Sequence, residues 1–259
     1  MSKTIEFIHD LQFSDLPDPI VDAAIRALID TLGVAIAGSS TRLSSIIHDH
    51  ATQHFGAGSN EPSNLWNDGR PVSPAGAALA NGMTIDSVDA HDGQKLTKGH
   101  VGCGVVPSLL ALAEATGKND SEELLTALVM GYEIGSRAGI ALHDTVHDYH
   151  TSGAWIALAT AALGARYLGL NSEQTRHAVG IAEYHGPRSQ MMRTIDHPTM
   201  VKDGSGWGAM AGVSAAYLAH DGFTGAPAIS MEDGAVEPFW SDLGTHWYVT
   251  EQYIKLYPV

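Results

Sequence analysis

Apolar residues recur three and four positions apart along almost the whole chain, the spacing of one buried helical face. In "DPIVDAAIRALIDTLGVAIAG", Ile20, Ala23, Ala24, Ala27, Leu28 and Leu32 fall near one such face, with Asp18 placed to cap and Pro19 at the first helical position. The same periodicity predicts helices over about 43–55, 74–86, 105–116, 121–142, 153–168, 172–183 and 200–220. Asp120 or Ser121 caps the fifth of these eight, and Gly117 ends the one before it. Strand signals are confined to "SNLWN" with its "DGRPVS" turn and to the final "HWYVTEQYIKLYPV". No internal repeat or low-complexity tract interrupts the pattern, which predicts one mainly α-helical domain over 1–259.

Three of the predicted helices are crowded with small residues: "GAALANG", "AWIALATAALGA" and "GWGAMAGVSAAYLA". Glycine inside a helix costs roughly 0.5–1 kcal/mol relative to alanine. Its repeated use there predicts closely approaching backbones and a multilayer bundle with buried central helices.

The formal net charge of -15 over 259 residues argues against nucleic acid or an anionic membrane as the main partner. Any anionic ligand must then be met by a local positive pocket. The single cysteine, Cys103, excludes an internal disulfide and fits a reducing compartment. The start lacks a signal-peptide core, and no apolar run reaches the roughly 18–20 residues that span a bilayer. The longest, "SGAWIALATAALGARYLGL", is broken by Arg166. A cytoplasmic protein is expected.

Titratable residues cluster at the ends of the apolar runs. "DAHDGQKLTKGH" (89–100) carries two aspartates, two histidines and two lysines between two helices. His143, His147 and His150 follow in "HDTVHDYHTSG", and His185, Arg188, Arg193, His197 and Lys202 in the segment ending "MVKDGSGWG". The i, i+4 spacing of His143 and His147 suits two ligands on one helical face. The intervening glutamate of a metalloprotease is absent, and His91 and Asp92 show no recognisable metal-ligand spacing. "KDGSGWG" matches neither a phosphate-binding loop nor a dinucleotide fingerprint. Cys103, in "GCGVV", reads as core. General acid–base chemistry fits better, because His100, His150 and Lys202 each precede a strongly apolar helix that can anchor them in a cleft.

These segments, together with "ANGMTIDSVDAHDG", "GYEIGSRAG" and "MVKDGSGWGAMAGVSAAYLAHDGFTGAPA", resemble the MmgE/PrpD family from about Leu16 to Val259. That family includes 2-methylcitrate dehydratase, cis-aconitate decarboxylase and iminodisuccinate epimerase. The resemblance implies a helical domain joined to an α/β lid, a homodimer, an interdomain active site and no metal or organic cofactor. It implies catalytic roles for Asp89, His100, His150 and Lys202, and substrate contacts from Lys255 of the "K-x-Y-P" segment. His91 and Lys98, in the same loop as His100, join the expected substrate-binding set. Arg188 and Arg193 are expected to clamp a carboxylate. Gly93 replaces the family's threonine, the loop before His100 is one residue longer, and His91 stands where an aspartate is common.

The implied chemistry is proton abstraction beside a carboxylate of a small di- or tricarboxylic acid. Loss of water, as in a 2-methylcitrate dehydratase-like hydro-lyase, is the favoured outcome, with epimerisation and decarboxylation as alternatives. Family members continue past "KLYPV" through a lid and returning helices. The expectation is therefore a chain that is nearly inactive alone unless a second polypeptide, or further sequence of its own, completes the site. The competing expectation is a non-catalytic helical subunit.

Overall fold

The computed structural model describes residues 2–58 and 61–253. The chain runs through α1 (Ser2–Asp10), α2 (Asp18–Gly38), α3 (Arg42–His54) and the two-residue strands β1 (Ser63–Asn64) and β2 (Pro71–Val72). There follow α4 (Pro74–Asp86), β3 (Gly93–Gln94), α5 (Gly102–Thr116), α6 (Ser121–Thr145), α7 (Gly153–Leu168) and α8 (Ser172–His185). The last part holds α9 (Met191–Asp196), α10 (Ser205–His220), the short helices α11 (Ile229–Glu232) and α12 (Glu237–Trp240), and β4 (Gln252–Tyr253). This is the mainly α, multilayer architecture expected.

Local chemistry sets most helix ends. The Thr41, Ser73, Asp120 and Asn171 side chains each accept backbone N–H groups at the start of α3, α4, α6 and α8. Gly117 and Gly169 close α5 and α7 in the left-handed conformation. At α2 the expected register slips by one: Pro17 is the extended capping residue and Asp18 opens the first turn.

Two helices form the centre. Every residue of α4 except Ala75 is buried, as is every residue of α7 except Arg166 and Leu168. Helices apolar on all sides belong inside. Both pack on α10, and the small residues explain how. A Cβ on Gly82 of α4 would stand 2.9 Å from Gly206 Cα of α10, and one on Gly208 of α10 would stand 2.7 Å from Gly153 Cα of α7. Only glycine allows these backbones to meet. Cys103 is fully buried, and burial pushes its thiol well above the ordinary range, in keeping with a core residue.

Three expectations change. Helix α10 begins at Ser205 rather than near Met200, because Lys202 (φ +49°) and Gly204 (φ +64°) turn left-handed and stop the helix from extending backwards. Helix α5 starts three residues early, at Gly102. The expected final strand is a 3-10 turn (Tyr248–Glu251) followed by β4, which pairs antiparallel with β3 through Gly93 opposite Tyr253 and Gln94 opposite Gln252. Lys255 and the rest of "KLYPV" lie outside the described residues. The "SNLWN" hairpin is present as β1–β2.

Two arginines, the half-buried Arg166 and the buried Arg137, tie distant segments to the bundle. Arg166, the charge that breaks the apolar run of α7, holds Glu123 at 2.7 Å and donates to the Ile8 and Leu11 carbonyls at 2.9 Å, finishing α1. Arg137 of α6 donates to the Phe239 and His246 carbonyls at 2.7 and 2.9 Å and pairs with Asp242. It thereby fastens the segment that delivers β4. Among the described residues, no helix is long and apolar enough to cross a membrane.

Candidate active site

The amino-terminal ends of α5, α7 and α10 and the carboxy-terminal end of α4 meet at one place, since α4, α5 and α7 all pack on α10. The segments just before α7 and α10 are joined directly. Gly153 N–H donates to the Asp203 carbonyl at 3.1 Å, and Ser152 Oγ donates to Asp203 Oδ2 at 2.7 Å. Ser152 Oγ in turn accepts the His100 N–H at 3.0 Å, and Asp203 N–H donates to Asp86 Oδ2 at 3.2 Å. One chain of hydrogen bonds thus runs from the His100 loop through Ser152 and Asp203 to the end of α4.

His100 is held in a defined tautomer. Its Nδ1 lies 2.5 Å from the Asp92 carbonyl, which can only accept, so Nδ1 carries the proton. Nε2 then faces Asp89 Oδ1 at 3.4 Å. The His91 ring packs beside it, centroids 4.1 Å apart. Asp89 itself is largely exposed and adopts φ +49°, so its carboxylate is placed by a backbone conformation uncommon outside glycine.

His150 repeats the device. Its Nδ1 donates to the Asp148 carbonyl at 2.7 Å, which leaves Nε2 as the lone-pair nitrogen of the neutral ring. Its backbone N–H donates to His143 Nε2 at 3.4 Å. His143 lies edge-on to Tyr149 and Trp155 and supports the turn. Burial lowers its pKa. Helix α6 ends at Thr145, so His147 stands beyond the helix and the i, i+4 pairing with His143 is not formed on one helical face.

Buried acids surround these histidines. Burial, reinforced by the neighbouring Asp203, pushes Asp86 up to about 7 against the opposing charges of His100 and Lys202. Burial also raises Asp203, with the Ser152 hydrogen bond and His100 pulling the other way. Asp92, fully buried beside the Tyr132 hydroxyl, is pushed to about 6, burial again being the main cause.

A cavity of about 920 Å³ opens next to this cluster, lined by Thr151, Arg193, His197, Lys202 and Gly204 among others. Lys202 and Arg193 supply the local positive character that an acidic protein needs in order to hold an anion, and His197 adds a ring nitrogen. The expected residues are not all gathered there. Lys98 lines separate recesses, one of about 390 Å³ with His100 and Tyr253, and its ammonium lies 5.8 Å from the Tyr149 ring centroid. Arg188 lines a small crevice with Glu183 and Trp155. A clamp of Arg188 with Arg193 is therefore not formed, because the two line different recesses.

Sequence reasoning missed Asp86, Ser152 and Asp203. Asp86 was detectable as the lone acid ending a helix of small and apolar residues, and Asp203 as the neighbour of Lys202. Nothing local marks Ser152 as the bridge between them.

Residues 3–241 match the MmgE/PrpD N-terminal domain, and the chain belongs to that family. It is 31% identical over 228 residues to the cis-aconitate decarboxylase of Homo sapiens, covering 84% of this chain and 45% of that protein. It is also similar to the cis-aconitate decarboxylase-like protein oryM of Aspergillus oryzae (26% over 247 residues; 86% of this chain, 47% of the relative). A third relative is the cis-aconitate decarboxylase of Mus musculus (30% over 187 residues; 69% and 37%). The chain spans about half the length of the curated relatives it matches, or less.

Proposed function

We propose that this chain carries the acid–base half of a lyase acting on a small polycarboxylic acid, with decarboxylation of a cis-aconitate-like substrate as the reaction. The observation that carries the reading is the position of Lys202. It lines the cavity of about 920 Å³, while its charge acts on Asp86 and Asp203, the same two acids that feel His100. Binding and proton transfer therefore share one charge.

In this reading Arg193, His197 and Lys202 hold substrate carboxylates. Cleavage of the carbon–carboxylate bond leaves an electron pair delocalised as an enolate-like anion, and Lys202 stabilises that charge as it develops. The Nε2 atom of His150 or His100 delivers or takes the proton. Asp89 orients His100 and stabilises its charged form. Lys255, expected from the resemblance to hold a further carboxylate, follows β4, which pairs beside the His100 loop.

Loss of water from a 2-methylcitrate-like hydroxy acid is the second reading, and Asp86 favours it. A buried carboxyl raised to about 7 and within electrostatic reach of His100 is suited to supply the proton for a leaving hydroxyl through the histidine. Dehydration and epimerisation both start from an anion formed by loss of a proton beside a carboxylate, which dehydration resolves by expelling hydroxide and epimerisation by taking a proton on the opposite face; decarboxylation instead forms its anion by loss of CO₂ and ends by protonation. A homodimer, or a lid-bearing second polypeptide bound to this chain, is the assembly in which we place the activity.

Proton NMR in D₂O with cis-aconitate, 2-methylcitrate and iminodisuccinate, on the chain alone and with a lid-bearing partner added, separates the readings. Carbon dioxide release from cis-aconitate supports the first, and water loss from methylcitrate the second. If neither turnover nor deuterium exchange occurs in either preparation, the chain is a non-catalytic helical subunit and the proposal falls.

A further inference from the structure

We infer that Asp89, His91 and His100 form a binding site for a divalent transition-metal ion of the Zn²⁺, Co²⁺ or Ni²⁺ type. One ligand atom from each residue lies within 4.8 Å of the others. The 3.4 Å between His100 Nε2 and Asp89 Oδ1 is close to the edge of about 3.3 Å expected between two ligands roughly 2.0 Å from a tetrahedral ion. Little movement is needed on that edge, and Asp89, with its exposed side chain, is free to make it. The bond from His100 Nδ1–H to the Asp92 carbonyl is the outer contact by which metal-binding histidines are fixed in tautomer and orientation.

The surroundings favour a cation. Asp86 Oδ1 lies 3.9 Å from His91 Nε2, and Asp203 is joined to Asp86 through its backbone N–H. Lys202 is the opposing positive charge acting on both acids. Two imidazoles with one carboxylate suit borderline ions better than Mg²⁺ or Ca²⁺, which prefer all-oxygen shells. Three protein ligands leave coordination positions open on the exposed Asp89 side. His91 is the specific contributor, since Asp89 and His100 alone make only an ion pair. An ion held on His100 Nε2 occupies the lone pair that acid–base chemistry uses, so metal occupancy and proton transfer at His100 exclude each other. The site is thus a point at which a transition metal blocks this histidine, whatever the substrate.

The test is a titration of the metal-stripped chain with Co²⁺, followed by its visible d–d absorption. The expected result is a band saturating at one ion per chain and displaced by Zn²⁺. His91→Ala should abolish it, and Asp89→Asn should weaken binding about tenfold or more. Because His91 is buried and its replacement endangers folding, the exposed Asp89→Asn variant, checked by circular dichroism, decides the matter. His147→Ala should leave the titration unchanged. No saturable band, a band of undiminished affinity in folded Asp89→Asn, or loss of the band in His147→Ala would each overturn the inference. None of these readouts depends on turnover.

Discussion

Replacing Glu133 by glutamine should change how stability depends on pH rather than simply lower it. Glu133 is fully buried on α6; its Oε1 accepts the Val249 N–H at 3.0 Å and its Oε2 lies 3.5 Å from Arg137 Nη2. Arg137 divides its charge between this carboxylate, Asp242 and two backbone carbonyls. Burial therefore wins over the attraction of Arg137 and pushes Glu133 from its ordinary 4.5 up to about 7. An acid whose folded pKa is raised adds stability that is fully present below its unfolded pKa and is lost as pH rises through the folded one. Here that window runs from about 4.5 to about 7. At about 1.4 kcal/mol per pH unit, the loss across it is about 3 kcal/mol, an upper value for a buried pair. Glutamine keeps the acceptor for Val249 and cannot ionise. Urea unfolding of both proteins at pH 5, 6, 7 and 8, monitored by circular dichroism, should show Glu133→Gln gaining on the wild type by up to about 3 kcal/mol between the extremes. Other raised acids, Asp86 and Asp92 among them, titrate equally in both proteins and cancel in the difference. A difference that stays constant across pH would refute the reasoning, since Glu133 would then be ionised throughout and paired with Arg137.

Three further outcomes are expected. Lys202→Ala should lower kcat about 100-fold or more in an active preparation with cis-aconitate, and a kcat within a few-fold of wild type would remove Lys202 from the charge-stabilising role. Ser152→Ala strands the His100 N–H and Asp203 Oδ2 together; it should cost about 1–3 kcal/mol in thermal unfolding and shift the His100 ring resonances in NMR, and unmoved resonances would show that Ser152 does not position the loop. Gly82→Ala places a methyl against Gly206 Cα and the Cys103 carbonyl, so destabilisation of about 1–3 kcal/mol is expected; a neutral result by calorimetry would mean that α4 and α10 can separate without loss.

Much of the fold was legible because periodicity and capping are local. The helices from Pro74, Ser121, Gly153 and Ser172 begin where their small, capping or apolar residues predict. Helix α1 was not found: among its described side chains only Thr4 and Ile8 are buried, too short a pattern to register. The start of α10 was misplaced because a left-handed lysine leaves no mark in hydrophobic periodicity. Within the site, His100, His150 and Lys202 were visible from their places before apolar helices. The acids that surround them were not, since Asp86 and Asp203 become neighbours only when α4 and α10 pack. The expected partnership of Arg188 with Arg193 failed for the same reason in reverse: nearness in sequence did not survive the turn between them.

Asp89, Lys98 and Lys202 are three of the four described non-glycine residues with positive φ, and all three belong to the segments that carry the expected site chemistry. A side chain in that region costs about 1–2 kcal/mol, which glycine would largely avoid. A directed-evolution screen scored only on heat resistance should therefore drift toward glycine at these positions first, giving tougher proteins that have shed the groups meant to face a ligand. For anyone wishing to harden this scaffold, these are the codons to hold fixed while the rest of the bundle is varied.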